Sequence, residues 1–440
     1  MVADDVIRKA EIQVNFARRK QTVDGFGVNI NSKCWDLGKL APVVDRLIDD
    51  LGAVLFRLDA WGKSNWVDPD DRADAKVLCR KTYEKVYNLP EFRNAMGMAR
   101  HLNSRGIMPY MTMSGIVPKW MCARDGVTLT DFESFAEMAA SFAEWAVRKA
   151  GIKFELFGPM NETDIGPPEG PSAGPRAYVK ACEALAGNLA GRGLRNLKLV
   201  VAEQAGYNLD YTREFMKSAK LAGRIGAFGF HTYGSARMAD AVKAIRRGPH
   251  RKARIWMTEF GDLDQTGERE WYVAWNSFER LMHLLDDGFE GALFWDAYDN
   301  YHDHNEHWTI YGLLRTGLGV ATPKKRFHAM KQVFRFVRPG FVRVDASSDG
   351  KDVEALAFVS PDGKDLTVVG RNKSPRGAYL NISLAGAWDF DWSSMVSVYR
   401  TSETEDCAKA PDVPTRTGAW PFNGISFAVP GESIFTATSV

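Results

Sequence analysis

Two glutamates stand at comparable places in this chain. Residues 152–162, IKFELFGPMNE, carry Phe154, Leu156 and Met160 in an apolar run of strand length, and Asn161-Glu162 follows at once. The Pro- and Gly-rich stretch at 163–174, TDIGPPEGPSAG, must then open into a loop. Residues 254–261, RIWMTEFG, repeat the plan with Glu259. A carboxylate at the carboxyl end of a buried strand is where α/β barrels keep their chemistry. Placed on strands four and seven of eight, these two would face each other across the mouth. Paired carboxylates flanking a bond are what glycoside hydrolysis requires. One must be neutral to protonate the leaving oxygen, and the other ionised to attack the sugar carbon or activate water.

Other residue types fall where such a pair would need help. Arg57, late in the second strand, could keep a neighbouring glutamate ionised through charge and hydrogen bonding. Tyr233, late in the strand before Glu259, could donate to the same carboxylate. That makes Glu259 the nucleophile and Glu162 the acid/base; the plainer alternative leaves Arg57 a salt-bridge former in the barrel wall. Asn161 could present its amide to a sugar hydroxyl. Trp295, in GALFWDAYD, is placed to floor a sugar pocket, with Trp120 of VPKWM as counterpart and Trp61 and Trp66 in the loop after strand two. Packing is the ordinary explanation of any one of them. His231, in FHTY, faces the mouth and could bind a hydroxyl or a carboxylate, or be a satisfied core histidine. Asp59 is a candidate for substrate binding, and Asp59, Glu203 and Asp296 are rival carboxylates. Of these, Glu203 in VVAEQ fits the strand-then-glutamate plan best. Residues 301–308, YHDHNEHW, gather His302, Asp303, His304, Glu306 and His307. They resemble a metal site in composition only, without HExxH spacing, and read better as a polar loop lining outer sugar subsites. No cofactor is expected.

These residues need a frame to position them. Alternating polar and apolar residues at 7–16 read as a strand outside any barrel. Strands at 24–30, 54–59, 107–113, 152–160, 198–203, 225–233, 254–259 and 291–298 alternate with helices at 40–51, 91–105, 131–150, 175–190, 211–222, 236–247, 268–286 and 324–337. Between the second strand and its helix the chain makes a long loop. Eight strand–helix units in strict alternation predict a (β/α)8 TIM barrel. A doubly wound sheet is disfavoured, since no GxGxxG follows the first strand. After Arg338-Pro339-Gly340 come short β-rich runs, LTVVG, YLNISL, MVSVYR and ISFAVP, between Gly, Pro, Asp and Ser turns. They predict an appended antiparallel β-sandwich. The expected division is 1–20 as a strand joining that sandwich, 21–338 as the barrel and 339–440 as the sandwich.

Composition bounds the partners. The 440 residues carry 57 basic and 55 acidic side chains, a formal net charge of +2, which gives no electrostatic reason to expect nucleic acid or an anionic membrane. Thirteen tryptophans fit a carbohydrate site, although most must fill the core. Five scattered cysteines without CxxC spacing predict free thiols and no structural zinc. The start, MVADDVIRKAEIQV, has no apolar core of a signal peptide, and no run approaches a membrane span. The default expectation is a cytoplasmic protein, or a secreted one whose leader has been removed.

The ordered set of motifs resembles a known group. GFG on strand one, Arg57, PKWM at 118–121, GPMNE, HTY, WMTEFG, LFWD and KRFHAMKQVFRFVRPG leading into a sandwich are similar to the clan A retaining glycoside hydrolases, above all family 30, with families 39 and 5 as relatives. The resemblance spans most of the chain. It implies acid/base Glu162, nucleophile Glu259, Asn161 on the 2-hydroxyl, Tyr233 and Arg57 around the nucleophile, and Trp295 under the sugar. It implies a retaining β-glycosidase acting on an oligo- or polysaccharide without a cofactor. Strand one departs from the pattern, with GFGVNI where family members more often have a further small residue, and the HDHNEH loop has no place in it. Two other classes stay open: a non-catalytic carbohydrate-binding barrel, and a metal-dependent barrel hydrolase using 302–307.

Overall fold

The structure, a computed structural model, describes residues 8–33, 35–60, 85–264, 269–299, 310–317, 320–385, 396–413 and 424–440. After β1 (Arg8–Thr22), eight strands close a barrel: β2 (Gly25–Ile30), β3 (Leu55–Asp59), β4 (Tyr110–Thr112), β5 (Leu156–Gly158), β6 (Lys198–Ala202), β7 (Ile225–Thr232), β8 (Arg254–Phe260) and β9 (Gly291–Phe294). Every neighbouring pair is parallel, including the closing pair β2–β9. Among the described residues the helices around it are α1 (Ala41–Arg46), α2 (Pro90–Ser104), α3 (Phe132–Arg148), α4 (Pro175–Gly191), α5 (Leu209–Lys217), α6 (Ala239–Arg247), α7 (Glu270–Asp287) and α8 (Lys325–Phe334). Local signals set their ends. Asp131 caps α3 by accepting from the Ser134 amide at 3.0 Å, and α4 opens with Pro175 in its first turn, where the missing N–H costs nothing.

The barrel interior has two tiers. At the amino-terminal end Leu55, Tyr110, Leu156, Val200, Ala227, Trp256 and Leu293 meet in an apolar plug. Side chains alternate along a strand, so two positions on from Leu55 comes Arg57, and four on from Ala227 comes His231, both buried on the mouth side of the plug. Strand β8 breaks the alternation. Phe230 pairs with Met257 but His231 pairs with Glu259, and β8 takes three steps from Met257 to Phe260 while β9 takes two from Ala292 to Phe294. One extra residue at Thr258 is a β-bulge, and it puts Glu259 on the same face as Trp256. Strict alternation would have sent Glu259 out toward the helices.

Some elements differ from expectation. The fourth strand ends at Gly158, so Glu162 lies on the loop beyond it, with φ of 43°. Helix α5 stops at Lys217, because Ser218 turns to extended backbone. A hairpin, β10 (Leu314–Gly317) with β11 (Val320–Pro323), precedes α8 and was not anticipated. Residues 301–309, with the HDHNEH motif, and Trp61 and Trp66 lie outside the described residues, as do Cys34 and Cys79. Cys122, Cys182 and Cys407 are free thiols.

The second unit is a nine-stranded sheet built from β1 and β12 (Val342–Ser348), β13 (Val353–Val359), β14 (Leu366–Asn372), β15 (Ala378–Ala385), β16 (Ser397–Thr401), β17 (Ala408–Lys409), β18 (Gly424–Val429) and β19 (Ser433–Thr438). Its order is β17-β16-β19-β14-β13-β12-β1-β15-β18, with β1 parallel to β15 and antiparallel to β12. The sheet folds over itself as a sandwich. Phe427 of β18 and Phe435 of β19, far apart in that order, bring their rings to 5.8 Å in one shared core. Helix α8 lies between this core and the barrel, with Gln332 donating to Thr401 and accepting from Thr436. Among the described residues no helix is long and apolar enough to cross a membrane.

Candidate active site

Glu162 and Glu259 converge at the barrel mouth. One oxygen of each, and a ring nitrogen of His231, all lie within 4.8 Å of one another. Carboxylates about 5 to 5.5 Å apart serve double displacement, whereas inverting pairs stand about 6.5 Å or more apart to admit a water.

The surroundings of the two differ. Glu259 accepts from the Arg57 guanidinium at one oxygen and from the Tyr233 hydroxyl, at 2.6 Å, at the other. Both bonds call for acceptors, which an ionised carboxylate supplies. Arg57 is itself fixed on three sides, with Nη2 donating to Asn161 Oδ1 at 2.7 Å, Nη1 to Asn29 Oδ1 at 3.0 Å, and Nε lying 3.4 Å from Glu203. Burial pushes the Tyr233 hydroxyl well up, reinforced by the Glu259 charge, so it stays a donor. Among the described residues, Glu162 has one side-chain hydrogen bond, with His231 Nδ1 at 2.8 Å. Burial raises its pKa and the Glu259 charge adds to this, while the His231 hydrogen bond opposes. The result is one carboxyl group held toward its neutral form beside another dressed with donors.

His231 is the hinge between them. Burial alone would lower its pKa, but the Glu259 charge, the Glu162 hydrogen bond and the contact with Glu203 outweigh this and raise it to about 10. Its Nδ1 is 3.6 Å from Glu259 and its Nε2 is 3.8 Å from Glu203. The trio Glu162–His231–Glu259 has the spacing of a metal site. A metal there would have to displace the proton that Glu162, Glu203 and Glu259 together hold on this ring.

Beneath the pair lies Glu203, with no exposure, against Arg57 on one side and the Tyr110 hydroxyl on the other. It is sealed from any substrate, whereas the Glu162 side chain keeps 11% exposure. Two glycines make its chamber. A Cβ on Gly158 would fall 2.1 Å from Tyr110 Oη and 2.9 Å from Glu203 Oε2, and one on Gly229 would fall 2.6 Å from Glu203 Cγ.

The other candidates are placed differently. Asp59 accepts from the Ser114 amide and hydroxyl, tying β3 to the loop after β4. Asp296 is buried away from the pair, accepting from the Tyr298 amide, and burial beside Asp299 raises its pKa. Trp120 sits half-buried in the turn Lys119–Met121 and packs on the barrel core. Trp295 is half-buried at the end of β9, joined to Asp296 by a cis peptide bond. Asn29 and Tyr110, which brace Arg57 and Glu203, were missed. The signal for Asn29 was its polarity inside the otherwise apolar GFGVNI; for Tyr110 there was none.

No family model matches the sequence. The glucuronoxylanase XynC of Bacillus subtilis is 21% identical over 393 residues, covering 87% of this chain and 82% of the relative. Among solved structures, the family 30 subfamily 8 xylanase Xyn30A from Clostridium acetobutylicum superposes with a TM-score of 0.72 at 16% identity, over 97% of this chain and 99% of that one. The endo-β1,6-glucanase BT3312 gives 0.71 at 16% identity, over 98% and 93%. Over most of its length the chain is thus similar to glycoside hydrolases, family 30 xylanases among them, and it shares with those structures the closed barrel and its appended sheet domain.

Proposed function

We propose that Glu162 is the acid/base and Glu259 the nucleophile of a double displacement on a β-linked polysaccharide. One observation carries the assignment: two carboxylates with an oxygen of each within 4.8 Å, one donor-dressed by Arg57 and Tyr233, the other raised in pKa by burial and its neighbour's charge. Glu259 attacks the anomeric carbon while neutral Glu162 gives its proton to the departing glycosidic oxygen. The products are a glycosyl-enzyme ester and a free alcohol. Water then enters, Glu162, now ionised, takes its proton, and the oxygen displaces Glu259 with a second inversion, giving net retention. Asn161 suits the 2-hydroxyl, since Arg57 occupies its carbonyl and its amide NH2, which gives one N–H to Glu169 at 3.5 Å, keeps the other to donate. His231, Tyr233 and Arg57 set the charge around the pair, and Asp59, Trp120 and Trp295 belong to the surrounding sugar-binding surface.

Xylan is the first substrate to test, on the kinship with the glucuronoxylanase. β-1,6-Glucan belongs in the same panel, because the fold matches the glucanase as well as the xylanase. The domain division at residues 20 and 338 is part of the proposal, supported by the pairing of β1 with β12 and β15.

The test is proton NMR of the first sugar released, with the Glu259→Gln variant alongside. A β-anomer from the wild type and turnover lower by at least about a thousandfold in a folded variant are expected. An α-anomer first, or an active variant, would overturn the assignment. Absence of cleavage across the panel would favour a carbohydrate-binding barrel.

A further inference from the structure

The described site leaves one buried carboxylate without a task in the chemistry. We propose that Glu203 is a positioning residue, holding His231 and Arg57 from beneath so that Glu162 and Glu259 keep their geometry and their unequal charge. This rests on the reading of those two as the catalytic pair.

Glu203 is held from every side. Its amide donates to the Gly229 carbonyl at 2.9 Å, and its own carbonyl accepts from the Glu162 amide at 3.0 Å. The segment that places Glu162 is thus anchored to Glu203. Ala202 and Glu203 both take positive φ, 84° and 36°, a conformation that side-chain-bearing residues rarely adopt unless the surroundings impose it. Gly158 and Gly229 clear the space for its side chain. Among the described residues, Glu203 Oε1, Arg57 Nε and His231 Nε2 are all buried without a hydrogen-bond partner, and the oxygen stands 3.4 Å from the first nitrogen and 3.8 Å from the second. An oxygen placed between two cations, bonded to neither, acts through its charge.

That charge balances the site. Arg57 and His231 are cations, Glu259 and Glu203 are anions, and with these four paired Glu162 is left free to be neutral. Without the Glu203 charge the cluster carries an uncompensated cation. Glu162 then ionises more readily and His231 releases its proton more readily, the two titrating as a coupled system. The groups facing the imidazole are Glu162 on the loop after β5, Glu203 after β6, Glu259 on β8 and, behind Glu203, Arg57 on β3 and Tyr110 on β4. Tyr233, two residues along, bonds Glu259.

The experiment compares wild type, Glu203→Gln and Glu203→Asp in two readouts. The first is the pH profile of kcat/KM on an aryl β-xyloside. Glu203→Gln should lower kcat about tenfold to about a hundredfold, with KM within about threefold, and move the alkaline limb down by about one pH unit. Glu203→Asp, which keeps the charge, should restore the limb. The second is ¹⁵N NMR of the His231 ring in the free protein, which needs no substrate. The wild-type ring should remain an imidazolium above pH 9, and Glu203→Gln should lose the proton at least about one unit lower. An unmoved limb and an unmoved ring titration in a folded Glu203→Gln protein would reduce Glu203 to packing and overturn the proposal. Should that variant not fold, a wild-type ring already neutral at pH 7.5 would overturn it equally. An active Glu259→Gln would instead refute the catalytic reading, and the ring titration alone would then decide for or against Glu203.

Discussion

Adding one methyl group at Gly158 should damage catalysis from beneath the site. The built Cβ falls 2.1 Å from Tyr110 Oη, and ordinary contact begins at 3.4 Å, so about 1.3 Å of displacement is demanded. Neither neighbour can yield cheaply. The Tyr110 hydroxyl is bonded to Glu203 Oε2, which itself lies 2.9 Å from the same Cβ, while Oε1 of that carboxylate faces Arg57 and His231. The backbone itself is not the obstacle, since Gly158 does not have a positive φ. Overpacking of this kind costs about 1–3 kcal/mol of stability. Displacing supports of the reacting groups by about 1 Å can cost about a hundredfold in rate. Gly158→Ala is therefore expected to melt several degrees lower and to lose about tenfold to about a hundredfold in kcat, with KM little changed. Gly187→Ala, in the interior of α4 where nothing lies within 4 Å of the added carbon, is the matched control. It should gain about 0.5–1 kcal/mol, from the better helix propensity of alanine, at unchanged kcat. Differential scanning fluorimetry and steady-state kinetics on one aryl glycoside suffice. A Gly158→Ala protein within threefold of wild type in kcat would refute the idea that the Tyr110–Glu203 layer sets the geometry above it.

The remaining predictions concern the proton-carrying groups. Glu162→Ala should hydrolyse substrates with poor leaving groups at least about a hundredfold more slowly. Added azide should restore turnover of an activated aryl glycoside by giving a β-glycosyl azide, and failure to form that product would count against Glu162 as acid/base. The raised pKa of Glu162 keeps it protonated to higher pH, so wild-type activity should fall as pH rises through that value, and the alkaline limb should vanish in Glu162→Ala. His231 links pH to stability. Its pKa rises from 6.5 to about 10 on folding, so its contribution is full below pH 6.5 and is lost as pH climbs through 10. Urea unfolding should show wild-type stability declining across that window, with the decline flattened in His231→Asn; equal slopes would mean that the ring is not held charged.

Periodicity carried the architecture. Helical stripes and apolar runs in strict succession located the barrel, and the change of texture after Pro339 located the sandwich. The glutamate-bearing strand ends were legible because each apolar run ended in a carboxylate beside a loop or a glycine. The aim of those side chains was not legible. Glu259 faces inward because of the bulge at Thr258, which leaves no mark in RIWMTEFG. Nor could Glu203 be told from Glu162 by pattern, since VVAEQ and GPMNE both put a glutamate past an apolar run. What separates them is depth, which Tyr110, Gly158 and Gly229 create from three other strands. The hairpin at Leu314–Pro323 was invisible for a similar reason, its four-residue strands being too short to show a period.

The place of β1 shapes how the molecule must come together. Ile12 and Val14 leave the ribosome more than three hundred residues ahead of their partners, Ser348 and Ala346 on one flank and Ile382 and Leu384 on the other. Throughout that interval the strand has both edges open and its oily side uncovered, a state prone to self-association. The barrel can close while it waits, but the sandwich cannot. Clipping the first sixteen residues would thus unravel the far end of the polypeptide before it touched the nearest part.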